Sequence, residues 1–164
     1  MKIYALTDDI NSLKLNNKTL NVFEKIYDIL KLINNEDIDI TSKIEIDEEK
    51  NFISIRLKPR NNDKIPISID IFDMYIDVFV DNEEFFIQRK VDNINEVVDE
   101  LKSVLKSQVE ELKIVNNEGK VNTRILHLYL ENNQTIGKIG KQGVRNPFSN
   151  YQKQIRMYDA WLST

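Results

Sequence analysis

Side chains that could act as a nucleophile, a general base or a metal ligand are few in this sequence. The 164 residues include no cysteine and one histidine, His127. Catalysis of the serine–histidine type needs a hydroxyl or thiol activated by a base, and an acid that orients the base. No serine lies in a Gly-x-Ser-x-Gly sequence, and no His-Glu-x-x-His sequence is present. We therefore expect a chain that is not an enzyme, in which His127 is a packed or half-exposed strand residue beside Ile125 and Tyr129.

Four aspartates in the middle of the chain are candidate ligands for a divalent cation. They are Asp70, Asp73, Asp77 and Asp81. A hard cation requires several oxygen ligands that converge on one point. Asp77 and Asp81 share one face of a predicted strand but are separated by about 13 Å, at roughly 3.3 Å per residue. The sequence thus predicts no metal and no other cofactor, and a metal-dependent enzyme would need at least three carboxylates in one cleft.

The same acidic strand also carries aromatic residues on its outward face. Tyr75 and Phe79 alternate with apolar residues and share a face with Asp77 and Asp81. Aromatic residues are enriched at the energetic centres of protein interfaces. We therefore predict a partner-binding surface, provided that no helix covers this face, with Tyr75 and Phe79 as anchors. Its predicted residues are Asp73, Tyr75, Asp77, Phe79, Asp81, Glu83 and Glu84.

Charge is segregated along the chain. Residues 1–100 hold 22 acidic and 13 basic residues, a balance of −9, whereas residues 101–164 hold 5 acidic and 10 basic residues, a balance of +5. A surface of one sign accelerates association with an oppositely charged partner. The acidic part therefore favours a protein partner with a basic surface.

The C-terminal part, residues 137–164, is a basic tail that contains glycine and aromatic residues. The spacing of Gly137, Gly140 and Gly143 matches neither a phosphate-binding loop nor a dinucleotide fingerprint, and it predicts a loop. Basic residues interleaved with aromatic ones can bind single-stranded nucleic acid, which leaves a nucleic-acid-associated regulatory or phage protein as the alternative function. We favour instead a tail that folds back onto the acidic part, with Phe148, Tyr158 and Trp161 in the core, because nucleic-acid binders are typically basic overall.

Hydrophobic periodicity predicts the elements that carry these residues. Apolar positions at helical spacing predict helices over residues 20–33 and 92–112. Between and after them, alternating residues predict short strands, with a turn at Asn117-Glu118-Gly119. The order predicts an α+β fold: an antiparallel sheet of five to seven strands with two main helices packed on one face. We expect residues 1–164 to form a single domain.

Two further features bear on location. No apolar run approaches the roughly 18 residues that would span a membrane, and the first residues lack a basic segment followed by a long apolar stretch. We therefore expect a cytoplasmic protein that does not bind a membrane. The oligomeric state stays open.

The order of elements in the last two thirds of the chain resembles that of a known class of proteins. The residues concerned are the acidic strands at 73–90, the helix at 94–112, the strand at 121–130 and the ending Tyr-Asp-Ala-Trp-Leu at 158–162. This arrangement is similar to small cytoplasmic immunity proteins found beside bacterial polymorphic toxins, including those of the LXG type. The resemblance implies a non-enzymatic antidote that binds a toxin domain tightly and blocks it, and it transfers no catalytic residue.

Overall fold

Two α-helices and two antiparallel sheets make up the described part of the chain. A computed structural model describes residues 2–6, 13–81, 85–130, 135–144 and 150–162. Six strands form the first sheet and four strands form the second. The predicted α+β class with antiparallel strands is confirmed, and the first sheet has a strand number within the predicted range. The second sheet is not predicted from the sequence.

The first sheet is a meander, in which each strand pairs with the next strand along the chain. Its strands are β1 (Lys2–Ala5), β2 (Lys43–Asp47), β3 (Phe52–Leu57), β4 (Ile67–Ile71), β5 (Tyr75–Val80) and β6 (Phe85–Lys90). Alternate residues of β2 to β5 are almost fully buried isoleucine, leucine or valine side chains, and the residues between them point to the other face. This alternation is what the sequence analysis predicts for these strands.

The two helices bury their apolar stripes in the same hydrophobic cluster as the first sheet. Helix α1 (Asn17–Leu30) begins earlier than predicted, because the side chain of Asn16 accepts a hydrogen bond from the backbone N–H of Thr19 at 2.7 Å and caps it. Helix α2 spans Ile94–Leu105. The predicted end at residue 112 is wrong. The chain leaves the helix where the hydroxyl of Ser107 donates to the carbonyl of Val104 at 2.7 Å.

The second sheet is built from the C-terminal part of the chain. Its strands are β7 (Gln108–Asn116), β8 (Val121–Tyr129), β9 (Thr135–Gln142) and β10 (Tyr151–Tyr158), in the spatial order β10-β7-β8-β9. The loop predicted from Gly137 to Gly143 is wrong, since β9 contains most of it. Gly140 has a φ of 133°, and a side chain there would overlap the backbone of Arg124 on β8. The glycine therefore allows two strands to approach closely.

Hydrogen bonds hold residues 160–161 against the segment that precedes β4 of the first sheet. The indole nitrogen of Trp161 donates to the carbonyl of Ile65 at 2.8 Å, and Lys64 donates to the carbonyl of Ala160 at 2.6 Å. Tyr158 and Trp161 belong to the hydrophobic cluster, as predicted for a docked tail, whereas Phe148 lies outside the described residues. In the described part of the chain, no helix is long and apolar enough to cross a membrane.

Candidate functional site

The predicted surface lies on the face of the first sheet that points away from the hydrophobic cluster. We call this the outer face and define it by the outward residues of β2 to β6. Strand pairing places five of them in a row across the sheet: Glu45, Ser54, Asp70, Asp77 and Gln88. On one side of this row, Lys43, Arg56, Ser68 and Phe79 form a second row. The outer face is thus polar at its centre.

Basic side chains compensate part of the acid on the outer face. The two terminal nitrogens of Arg56 donate hydrogen bonds to the two carboxylate oxygens of Asp70, at 2.8 and 3.4 Å. Lys43 contacts Glu45 at 2.6 Å. Paired Arg–carboxylate forks of this kind fix the geometry of both partners. The outer face is therefore less negative than the sequence suggests.

Asp77, on the same face, makes no salt bridge with a described residue. It lies directly opposite Asp70 on the adjacent strand, and it is only 4 % exposed. Its Oδ1 atom has no hydrogen-bond partner within the described ranges. Burial raises the pKa of the Asp77 carboxyl and the charge of Asp70 raises it further, while a hydrogen bond with Gln88 acts in the opposite direction. Like charges directly opposite each other destabilise a sheet, so Asp77 is kept at an energetic cost.

Aromatic rings border the polar row on its other side. The rings of Phe52 and Phe72 are 4.9 Å apart, and those of Phe72 and Tyr75 stack at 4.4 Å. Tyr75 is 40 % exposed and the adjacent Met74 is 63 % exposed. We call Phe52, Phe72 and Tyr75 the aromatic row. Phe52 and Phe72 are not among the residues predicted from the sequence, although the alternation of Phe52 with inward isoleucines already places it on the outward side.

The remaining predicted residues occupy different environments. Asp73 is exposed and accepts a hydrogen bond from the side-chain amide of Asn16. Phe79 is half-buried beside Ser68 on β4. Asp81, at a φ of 56° after β5, contacts Arg124 of the second sheet. Glu83 and Glu84 lie outside the described residues.

Arg124 is part of a buried polar cluster around Glu111 that was not predicted from the sequence. Glu111, whose side chain is 1 % exposed, accepts hydrogen bonds from Arg124 at 2.5 Å and from the Tyr158 hydroxyl at 2.9 Å, and it pairs with Lys113 at 2.9 Å. Burial raises the pKa of Glu111, but these three donors together hold it below its ordinary value. Burial and the bond to Glu111 raise the pKa of Tyr158 to about 12. The cluster ties β7, β8, β10 and the end of β5 together.

The single histidine, His127, lies on β8. Nδ1 of His127 is 3.3 Å from Oε1 of Glu110, and the ring meets that of Tyr129 edge-on. Within the described ranges, no group of three or more histidine, aspartate or glutamate side chains is placed to hold a metal ion.

The basic residues of the tail lie on strands of the second sheet. Lys138 and Lys141 belong to β9, and Lys153 and Arg156 belong to β10. All four are exposed, while Arg145 lies outside the described residues. These four described bases therefore lie on the surface of the second sheet.

Comparisons of the chain with family models, with curated proteins and with solved structures found no match.

Proposed function

We propose that this chain is a non-enzymatic, protein-binding inhibitor of the immunity or antitoxin kind. In this proposal, the outer face of the first sheet docks onto a toxin domain that carries a basic surface. The observation that supports it most directly is the aromatic row beside the polar row, on the sheet face that points away from the hydrophobic cluster.

The aromatic row would provide the anchor. Tyr75 and Met74 present exposed apolar area, and Phe72 stacks beneath Tyr75 and fixes its ring. A rigid aromatic side chain loses little conformational entropy on binding and buries a large area. A partner residue that packs on Tyr75 would therefore gain affinity at small entropic cost.

The carboxylates would provide charge complementarity. Asp73 and Asp77 make no salt bridge with any described residue, whereas Asp70 and Glu45 are compensated by Arg56 and Lys43. Next to the aromatic row, a basic partner would thus meet the exposed carboxylate of Asp73, which no basic side chain of the described residues compensates. Such complementarity raises the association rate and selects against acidic partners.

Binding to the product of the neighbouring gene tests this proposal. We expect Tyr75→Ala and Asp73→Lys each to weaken binding roughly tenfold or more, as anchor residues and charge reversals do at interfaces. Glu118→Lys, an exposed charge reversal in the turn between β7 and β8, is the matched control. Isothermal titration calorimetry measures the affinities, and circular dichroism verifies that each variant is folded. Undiminished binding by both outer-face variants would exclude this face.

A further inference from the structure

The second sheet has an edge strand that is exposed on both of its faces. Among the described strands, β10 pairs only with β7, through eight consecutive residue pairs. Residues 152–157 are all exposed. An edge strand with this exposure presents backbone N–H and C=O groups that a further strand can bind.

The other three sheet edges differ from β10. Strand β1 has only four residues. Strands β6 and β9 contact each other and, with α2, enclose a cleft. Strand β10 is therefore the longest accessible edge in the described part of the chain.

Two large apolar side chains make this edge unusual. Ile155 is 53 % exposed and Met157 is 52 % exposed, and both point to the same face as Lys153. Across the sheet from Ile155 lie Leu112 and then Ile125, which continue an apolar strip on this face. An edge protected only against aggregation would carry charge or proline without such apolar side chains.

We propose that the open edge of β10 binds an acidic, extended segment of another protein by strand addition. The inference does not depend on the proposed function, because it concerns the other sheet. Lys153 and Arg156 are exposed, and β10 contains no acidic residue. The guanidinium of Arg156 also donates to the carbonyl of Asn62 and lies 4.7 Å from the ring centre of Tyr158, so Lys153 is the less engaged of the two bases. Carboxylates on the added strand would pair with these two bases, and apolar side chains would cover Ile155 and Met157.

A second copy of this chain fits the edge poorly. If two β10 strands paired, four basic side chains would be brought together with no acidic residue on either strand. Like charges on adjacent strands are destabilising. The charge of β10 therefore selects a different, acidic segment.

The register of β10 defines the pattern of that segment. Opposite Lys153 and Arg156 we expect acidic residues, and opposite Ile155 and Met157 we expect apolar ones. Read in the antiparallel direction, the pattern is apolar, acidic, apolar, any residue, acidic. The added strand would end where the backbone N–H of Asp159 donates to the carbonyl of Asp63 at 2.6 Å, since the chain itself covers the edge there.

A fluorescein-labelled peptide, Ser-Val-Glu-Val-Thr-Glu-Ser, tests the proposal with the full chain. We expect saturable binding in fluorescence anisotropy that weakens as salt rises, and perturbed amide resonances for residues 152–157 in NMR spectra. The same peptide with lysine in place of both glutamates, and one with N-methyl groups along the pairing edge, should bind at least tenfold more weakly. Lys153→Glu should lose the acidic peptide, whereas Lys120→Glu, an exposed lysine in the turn of the same sheet, should retain it.

Four results would overturn the proposal. The first is that the acidic peptide does not bind, and the second is that the N-methylated peptide binds equally well. The third is that the free chain dimerises through β10 in sedimentation equilibrium. The fourth is that a single-stranded oligonucleotide displaces the peptide from the wild type and does not bind the Lys153→Glu variant. The third result would assign the edge to a second copy, and the fourth would assign it to nucleic acid.

Discussion

At the scale of single residues, Asp77 lowers the stability of the fold. Asp77 is a buried carboxyl that faces another carboxyl, and no described residue donates to its Oδ1 atom. A residue retained at such a cost is a candidate for function, because functional sites commonly trade stability for activity. The loss of folding free energy at Asp77 can be measured without any partner.

We expect Asp77→Asn to raise the free energy of unfolding at pH 7 by about 1 kcal/mol. The pKa of Asp77 is raised in the folded state, so folding is favoured by this group below its unfolded value and the benefit is lost as pH rises through the folded value. The gain from the amide should therefore vanish at pH 3. Urea denaturation at both pH values measures it, with the exposed Asp73→Asn as control. A loss of stability at pH 7 would show that the carboxylate is needed.

Tyr158 provides a second titration of the same sign in the alkaline range. Its hydroxyl donates to Glu111 and its pKa is about 12, against 10.0 ordinarily, so the neutral form stabilises the fold below pH 10. We expect Tyr158→Phe to cost about 1–2 kcal/mol at pH 7, because a buried carboxylate loses a donor. As pH rises from 10 to 12, the wild type should lose this advantage and the variant should not. Parallel urea curves across that range, without convergence, would contradict the assignment.

At the scale of elements, helix and strand periods explain what the sequence predicts well and where it fails. Alternating isoleucines mark β2 to β5 correctly, since each strand buries one face. The end of α2 is misplaced because Val109 and Leu112 continue the helical stripe, although they belong to β7. An apolar residue at a helical position also fits a strand when the flanking residues alternate, and only the pairing of β7 with β8 and β10 decides between them.

The glycines of the second sheet allow the packing of β8 against β9 to be tested. We expect Gly140→Ala to lower the free energy of unfolding by about 3 kcal/mol or more, because it combines a positive φ with overlap against Arg124. Gly119→Ala is the matched control: its φ is 77° but nothing lies near the added methyl group, so about 1 kcal/mol is expected. Thermal denaturation compares the two. Equal losses would mean that β8 and β9 do not approach as closely as described.

At the scale of the whole molecule, the segregated charge is partly neutralised within the fold. Arg124 contacts both Asp81 of the acidic part and Glu111 of the second sheet. Lys64 and Trp161 fasten the end of the chain to the loop before β4. Among the surfaces that the described residues leave exposed are the border of the outer face, at Tyr75 and Met74, and the basic edge at β10.

The sequence by itself determined the α+β class, the antiparallel strands and the outward position of Tyr75, Asp77 and Phe79, because these follow from local periodicity. Tertiary structure alone decided that Phe52 and Phe72 join Tyr75, that Arg56 neutralises Asp70, and that Asp81 contacts Arg124. These contacts join residues that are distant along the chain or belong to different strands. They depend on strand register and on the placement of the second sheet, which no local pattern of residues encodes.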